Sequence, residues 1–367
     1  MSQKKIPRIF ISATGQNDGK TVVSLGLIVA LQERFHKVGF IKPVGQRYLI
    51  EKGEKVDEDS VLIEKTCEME CAIKDMSPIA VERGFTKKYI LRSQKKGLSR
   101  RIKSAFRRVA RDNDLVIIEG TGHAGVGSVF DLSNATVAKM LGAKVIIVSS
   151  GGIGRPIDEI MLNLALFEKV RVEVLGVIIN KVHPQKYEKI NRIVRLGLKR
   201  KRLKVLGVIP YQAQLSQPTI SQIVEELDYP LLQSEGFLEA KAAKILVGAM
   251  SPHDALKYFS HGSLIITPGD REDMILAVAG YQIDQAKDNV RIAGIVLSGG
   301  IRPHRTVIDL VKCARIPLLL AKADTYSVAS QIHDLKVKIR PEDEEKTRII
   351  KGLIEQYVDV DGLIKKS

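Results

Sequence analysis

The segment Ser12-Ala13-Thr14-Gly15-Gln16-Asn17-Asp18-Gly19-Lys20-Thr21 carries the residue types that a phosphate-binding loop requires. It lies between an apolar run and an amphipathic one. In that setting backbone N–H groups converge on an anion and a helix N-terminus adds positive potential. Lys20 then spans the outer phosphates and Thr21 can hold Mg²⁺. The usual pattern, Gly-x-x-x-x-Gly-Lys-Thr, places glycine where this chain has Thr14, with Gly15 one residue later. Phosphate binding by residues 14–21 is still expected, because the loop sits at the first strand-to-helix turn.

Three further strand ends carry polar groups. Phe40-Ile41-Lys42-Pro43 presents Lys42 at the carboxyl end of a strand, facing the crevice where parallel sheets bind ligands, so Lys42 is expected to contact an anion. Lys20 and Lys42 are the candidate catalytic residues. The run from Asp114 to Gly122 delivers Glu119 into a glycine-rich turn, where an acid can orient Mg²⁺ directly or through water. Asp114 begins that run and is expected to point away. Asp59, within Asp57-Glu58-Asp59, reads either as a second Mg²⁺ ligand or as part of a solvated acidic loop; spacing alone leaves both open. Asn180 ends a third apolar run, and a side-chain amide there can pair with the donor–acceptor edge of adenine. His183 stands where a guanine-selecting Asn-Lys-x-Asp pattern needs aspartate, so ATP is expected over GTP. Ile209-Pro210-Tyr211 is expected to close over the base, with Pro210 against it. His123 reads as a loop polar residue rather than a general base.

These groups need a scaffold, and the apolar pattern supplies one. Continuous β-branched runs at 8–12, 38–41, 115–118, 144–148, 174–179 and 205–209 are expected strands buried on both faces of a parallel sheet. Helical patterns at 21–35, 97–110, 134–141 and 155–170 separate them, giving repeated βαβ units. The pattern pauses at Tyr229-Pro230, and residues 233–236 read as a boundary. A second series follows, with strands at 243–247, 263–267, 292–297, 316–320 and 335–339 and helices at 271–285, 304–313, 325–332 and 341–356. The expected fold is thus α/β: a doubly wound, mostly parallel P-loop sheet over residues 1–232, then a smaller α/β domain over 236–367 with a C-terminal helix. No internal repeat and no low-complexity linker separates them.

With 367 residues, the chain has room for two domains at about 150 residues each. Apolar residues at 44% exclude a wholly disordered chain. No apolar run reaches the ~18 residues of a membrane helix, and the basic N-terminus lacks a cleavage pattern, so no signal peptide is expected. Three cysteines cannot build a disulfide framework; Cys67 and Cys71 could chelate a metal only with other ligands. A reducing cytoplasmic location is expected. Lys plus Arg is 58 against 42 Asp plus Glu, a net charge of +16. The excess gathers at 87–111 and 186–204, stretches that could bind phosphate backbones or anionic lipid. They lack the interleaved aromatics of a base-stacking surface, so solvated helix faces are the favoured reading over a nucleic acid or membrane partner.

The shifted phosphate loop, Lys42-Pro43-Val44, Ile118-Glu119-Gly120 and Val177-Ile178-Ile179-Asn180 occur in the order seen in dethiobiotin synthetase. The broader pattern resembles the cobyrinic acid a,c-diamide synthase superfamily over about residues 6–215. That resemblance implies a doubly wound P-loop fold, ATP with Mg²⁺ and a homodimer. It implies phosphate and metal contacts for Lys20 and Thr21, a substrate-side role for Lys42, metal ligation by Asp59 and Glu119, and a base contact for Asn180. The chain departs from dethiobiotin synthetase at Gly45-Gln46-Arg47-Tyr48, where that enzyme is serine-rich, and at Thr121-Gly122-His123-Ala124. Residues from about 236 to 345 resemble a DRTGG domain through Ile266-Thr267-Pro268-Gly269-Asp270-Arg271, Leu297-Ser298-Gly299-Gly300 and Asp324-Thr325-Tyr326. The pairing resembles the N-terminal region of long phosphate acetyltransferases without their acetyltransferase domain, so acetyl transfer is not expected. Three functions follow as expectations: a Mg-ATP-binding regulatory or sensor protein, an ATP-dependent ligase acting on a small carboxylate or carbamate near Lys42, and a basic ATPase on a polyanion.

Overall fold

β-Branched and aliphatic side chains that alternate between two faces, with both faces buried, fix the first sheet. A computed structural model describes residues 6–51, 53–92, 97–234, 236–284, 290–335 and 337–365. Residues 1–5 and 93–96 of the basic stretches, Glu235 in the expected boundary, Gln285 of an expected helix and Lys336 of an expected strand lie outside the described residues. The chain divides into residues 1–212 with 339–367, and residues 213–338.

In the first unit the strands are β1 (Arg8–Ala13), β2 (Val38–Ile41), β3 (Tyr48–Glu51), β4 (Glu54–Asp57), β5 (Leu115–His123), β6 (Lys144–Ser150), β7 (Val174–Val182) and β8 (Val205–Pro210). Six of them form a sheet in the order β2-β5-β1-β6-β7-β8, all parallel. These are the six expected strands. Phe10, Val116, Ile118, Val145 and Ile147 join one core cluster with Ile102 and Phe106 of helix Leu98–Arg111, Val137 of helix Asn134–Leu141, Ile160 of helix Gly154–Lys169 and Val194 of helix Tyr187–Arg200. Ile9, Ile11 and Ile117, of opposite parity, are also fully buried, and helix Lys20–Gln32 packs against β1, β2 and β5. The unexpected element is the antiparallel hairpin β3–β4, which pairs Tyr48 with Asp57.

Two helices of this unit, Glu344–Tyr357 and Val360–Ile364, come from the far end of the chain. Helix Glu344–Tyr357 lies on helix Lys20–Gln32 so closely that a Cβ on Gly26 would stand 2.3 Å from Ile354 Cγ1. Lys351 pairs with Glu33 at 2.7 Å and Asp361 with Arg34 at 3.0 Å. The C-terminal helix therefore belongs with the phosphate-loop helix, not with the second domain as expected.

In the second unit the sheet runs β10 (Lys244–Val247), β11 (Ser263–Pro268), β12 (Gly294–Ser298) and β13 (Leu318–Leu320), parallel, with β9 (Leu231–Gln233) antiparallel at the β13 edge. The expected boundary at 233–236 thus falls beside a strand of this sheet. Helix Ile220–Leu227, closed by a capping box from Thr219 and Gln222, sends Ile220 and Ile223 into its core. No strand forms among the described residues of 335–339. Instead Gln222 Nε2 donates to Lys338 O at 2.9 Å and Val337 N to Leu335 O at 3.1 Å, so that backbone is satisfied without a ladder.

Candidate functional site

β1 is central in the first sheet, so the loop that leaves its carboxyl end opens beside the ends of β5 and β6. Ile11 lies in register with Glu119, and Ala13 with Val148. Gly19 sits at φ 88°, in the left-handed region, and a Cβ there would lie 2.2 Å from Asn180 Nδ2. Glycine is required on both counts. Asn17, at φ 64°, supplies the other left-handed turn. Together they turn the chain so that Lys20 begins the helix.

The loop is braced from inside. Asp18 Oδ2 accepts from Gly15 N at 2.6 Å and from Thr14 Oγ1 at 2.9 Å, while Thr14 N donates to Val148 O at 2.9 Å. The Asp18 carboxylate thus takes the Gly15 N–H that was expected to face an anion. Gln16 and Asn17 are exposed. Lys20 folds back over the loop, its Nζ 3.4 Å from Gly15 O. Burial holds the Lys20 pKa below the usual lysine value, with Glu119 opposing.

Asn180 reaches the loop from the end of β7. Its Nδ2 donates to Asp18 O at 3.0 Å and its Oδ1 accepts from Lys181 N at 2.9 Å. That leaves one N–H and one lone pair of the amide for another partner. Lys181 Nζ holds Asn17 O at 2.7 Å. Pro210 is paired with Val182 at the β7–β8 edge.

Thr21, Glu119, Asp59 and Lys42 meet on the other side. Thr21 Oγ1 donates to Glu119 Oε1 at 3.2 Å, and Glu119 Oε2 is buried without a hydrogen-bond partner. Lys42 Nζ is buried among carboxylates: it donates to Asp59, lies 2.9 Å from Asp57 Oδ1 and 3.5 Å from Glu119 Oε1. Asp57 is fixed as the N-cap of helix Glu58–Thr66, accepting from Asp59 N at 3.0 Å. Burial works against the Lys42 ammonium, yet Asp59, Asp57 and Glu119 together raise its pKa. Burial also pushes Asp59 up, but Lys42 prevails and holds that acid below the ordinary aspartate value. At Asp57 burial prevails and raises the acid. Glu119 is pushed up to about 7 by burial, with Lys42 opposing.

The expected anion contact of Lys42 is therefore not the arrangement found: carboxylates already surround its charge. The solvated-loop reading of Asp59 also gives way, since Asp59 points into the cluster. Asp57 was missed as a site residue, though its place before a helical run is the signal of an N-cap. Asn134 was missed too. It braces the turn after Glu119, its Oδ1 accepting from Thr121 N at 3.1 Å and its Nδ2 donating to Thr121 O at 2.8 Å and His123 O at 2.7 Å. His123 is exposed, with Nδ1 accepting from Gly125 N at 3.2 Å.

The oxygen donors around Glu119 have the chemistry that Mg²⁺ takes, and the unpartnered Oε2 is a donor atom in want of a partner. Among the described residues no group of three or more His, Cys, Asp or Glu is arranged to hold a metal by itself. The basic helix Leu98–Arg111 is partly structural: Arg108 clamps Asp75 at 2.6 and 2.8 Å, and Arg101 holds Pro78 O at 2.7 Å. No described helix is long and apolar enough to cross a membrane.

A parallel sheet whose first strand turns through Gly-Lys-Thr into a helix, with an acid on the neighbouring strand end, defines a P-loop NTPase-like domain. Residues 7–219 match the AAA domain family, and the chain belongs to that family. Residues 222–335 match the DRTGG domain. The phosphate acetyltransferase of Pseudomonas putida is 28% identical over 370 residues, covering 95% of this chain and 50% of that protein. That of Nitratidesulfovibrio vulgaris is 27% identical over 360 residues, covering 96% and 50%. The chain spans about half the length of these curated relatives. Cobyrinic acid a,c-diamide synthase from Mycobacterium smegmatis, solved with ADP and magnesium, is 16% identical with a TM-score of 0.38, covering 56% of this chain and 87% of that one.

Proposed function

We propose that this protein binds Mg-ATP at the end of β1 and acts as a nucleotide-dependent regulatory or sensor protein, with the DRTGG unit as the responding part. The observation that carries the reading is the hydrogen bond between Thr21 and Glu119 directly beside Lys20. It joins a loop built for phosphate to an acid with a spare buried oxygen. In this reading Lys20 contacts the outer phosphates, Thr21 and Glu119 hold Mg²⁺ with Asp59 nearby, and the remaining ligands are phosphate oxygens and water. Asn180 offers its free N–H and lone pair to adenine, and Pro210 borders the base. Mg²⁺ supplies charge neutralisation of the phosphates when bound. The protein is expected to work as a homodimer in the cytoplasm.

The ligase reading is weaker. A carboxylate or carbamate substrate beside Lys42 would meet Asp57, Asp59 and Glu119 as well, and like charges at that range repel. Similarity to about half the length of each phosphate acetyltransferase suits a regulatory region, and the sensor reading treats these two units as such a region.

Calorimetry with ATP and GTP in the presence of Mg²⁺ tests the reading. ATP should bind more tightly, and Lys20→Ala should weaken it by roughly ten- to a hundredfold, the range of a charge-assisted phosphate contact. Unchanged ATP affinity in Lys20→Ala would refute the phosphate-loop assignment.

A further inference from the structure

Three carboxylates around Lys42 are more than an ion pair requires, even with Lys20 also drawing on Asp59 and Glu119. Lys42 has three N–H donors, and its neighbours are Asp59, Asp57 Oδ1 at 2.9 Å and Glu119 Oε1 at 3.5 Å. Asp59 and Glu119 belong to the oxygen set assigned above to Mg²⁺. Asp57 does not, and it is held elsewhere: its backbone N donates to Ser77 Oγ at 2.8 Å and its side chain caps the following helix. Glu119 keeps a buried oxygen, Oε2, without a hydrogen-bond partner, although the Ser24 hydroxyl is near enough to favour its ionised form. By charge and by hydrogen bonding, Lys42 stands where a cation would satisfy this set.

We propose that Lys42 is the internal counter-ion of the metal site, competing with a divalent cation for Asp59 and Glu119 in the nucleotide-free protein, and that Asp57 is the positioning residue that retains the ammonium when the metal takes those two oxygens. This rests on the Mg-ATP reading of the site. Two consequences follow from electrostatics. Without nucleotide, a divalent cation must displace a charge already well paired, so it binds weakly. With nucleotide, the phosphates add negative charge, and both Lys42 and the metal can be accommodated. Metal loading thereby becomes conditional on nucleotide.

Mn²⁺ followed by electron paramagnetic resonance reads this on the full chain, without any measure of turnover. Nucleotide-free Lys42→Gln should bind Mn²⁺ at least about tenfold more tightly than wild type, since it removes a competing charge within contact distance. Adding Glu119→Gln should abolish that gain. Asp57→Asn, which keeps a capping side chain, should weaken Mn²⁺ binding in the presence of ADP. It should have no such effect once Lys42 is Gln, because Asp57 acts through Lys42. Should Lys42→Gln fail to fold by circular dichroism, the Asp57→Asn arm still decides: unchanged Mn²⁺ affinity with ADP overturns the proposal. A folded Lys42→Gln with no gain, or an Asp57→Asn effect that persists without Lys42, overturns it as well. If wild type binds Mn²⁺ with ADP through Glu119 while Lys42→Gln gains nothing, the lysine inference alone falls. If wild type binds no Mn²⁺ even with ADP, the Mg-nucleotide reading falls with it.

Discussion

The two units close the carboxyl ends of their parallel strands by different means. In the first, the ends of β1, β2 and β5 lead to Lys20, Lys42 and Glu119, with Asp57 and Asp59 folded in from the hairpin and its helix. In the second, neutral groups do the work. Ser298 Oγ and Thr325 Oγ1 share a hydrogen bond at 2.7 Å, Gly299 N donates to Ala323 O at 2.7 Å and Gly300 N to Ala321 O at 2.8 Å. Its charged residues stay at the rim. Asp324 caps helix Thr325–His333 through Ser327, and Arg271 pairs with Asp273 at 2.8 Å. A parallel α/β sheet thus needs no buried charge to finish its strand ends. Burying charges costs several kcal/mol each before pairing repays it, so the cluster in the first unit calls for an explanation beyond folding. An architecture shared by both units does not assign function, and the charged cluster is what sets the first unit apart.

The largest test of this contrast concerns which chain segments each unit owns. Residues 213–338 form a sheet with cores on both faces, and expressed alone they should fold. A chain ending at residue 338 strips helix Glu344–Tyr357 from helix Lys20–Gln32, removing Ile350 and Ile354 from Gly26 and Lys351 from Glu33. It should lose cooperative unfolding of the first unit and with it ATP binding. Circular dichroism melts and calorimetry on both pieces decide the matter. A chain ending at 338 that melts and binds ATP like full length would restore the division at 232–236.

Why the sequence pointed to that division is physical. The β-branched runs of the six strands in the first unit's main sheet were legible because both faces are buried, which suppresses alternation and leaves continuous apolar stretches. Lys20, Thr21 and Glu119 were legible because each sits at a strand end or a helix start. The return of residues 339–367 was not, since a helix that docks across nearly the whole chain length leaves no local mark. Gly26 is one trace, and a glycine inside a helix reads as a weak breaker until the partner helix is seen. Asp57 escaped because its role depends on Lys42 being brought within 2.9 Å by two separate elements. Run 335–339 misled because its apolar residues satisfy a strand pattern while its backbone finds other partners.

A second, smaller effect bears on the charged cluster itself. Glu119→Gln keeps shape and removes the charge, so Mg²⁺ should enhance ATP binding roughly tenfold less than in wild type, while metal-free nucleotide binding persists. Burial sets the Glu119 pKa at about 7. The free acid therefore holds its proton below that value and must lose it to serve a cation. Mg²⁺ affinity of the wild type should rise as pH increases through about 7, and that rise should be blunted in Glu119→Gln. Identical Mg²⁺ titrations for the two proteins would remove Glu119 from the metal's surroundings.

The smallest effect is expected in the second unit, and its size is what distinguishes the two. Ser298 is buried, and its hydroxyl hydrogen-bonds the half-buried Thr325 hydroxyl. Ser298→Ala leaves Thr325 to find another partner, at a cost of about 1 kcal/mol, which for a unit of this size corresponds to a melting shift of about 4 °C. No charge is exposed or orphaned, so ATP and Mg²⁺ affinity should not change. Differential scanning calorimetry and an ATP titration on the same sample give both numbers. A stable Ser298→Ala protein whose ATP affinity has fallen would mean that the β12 end takes part in the nucleotide response. The neutral strand ends would then be a coupled site, and the contrast between the two units would have to be redrawn around coupling instead of charge.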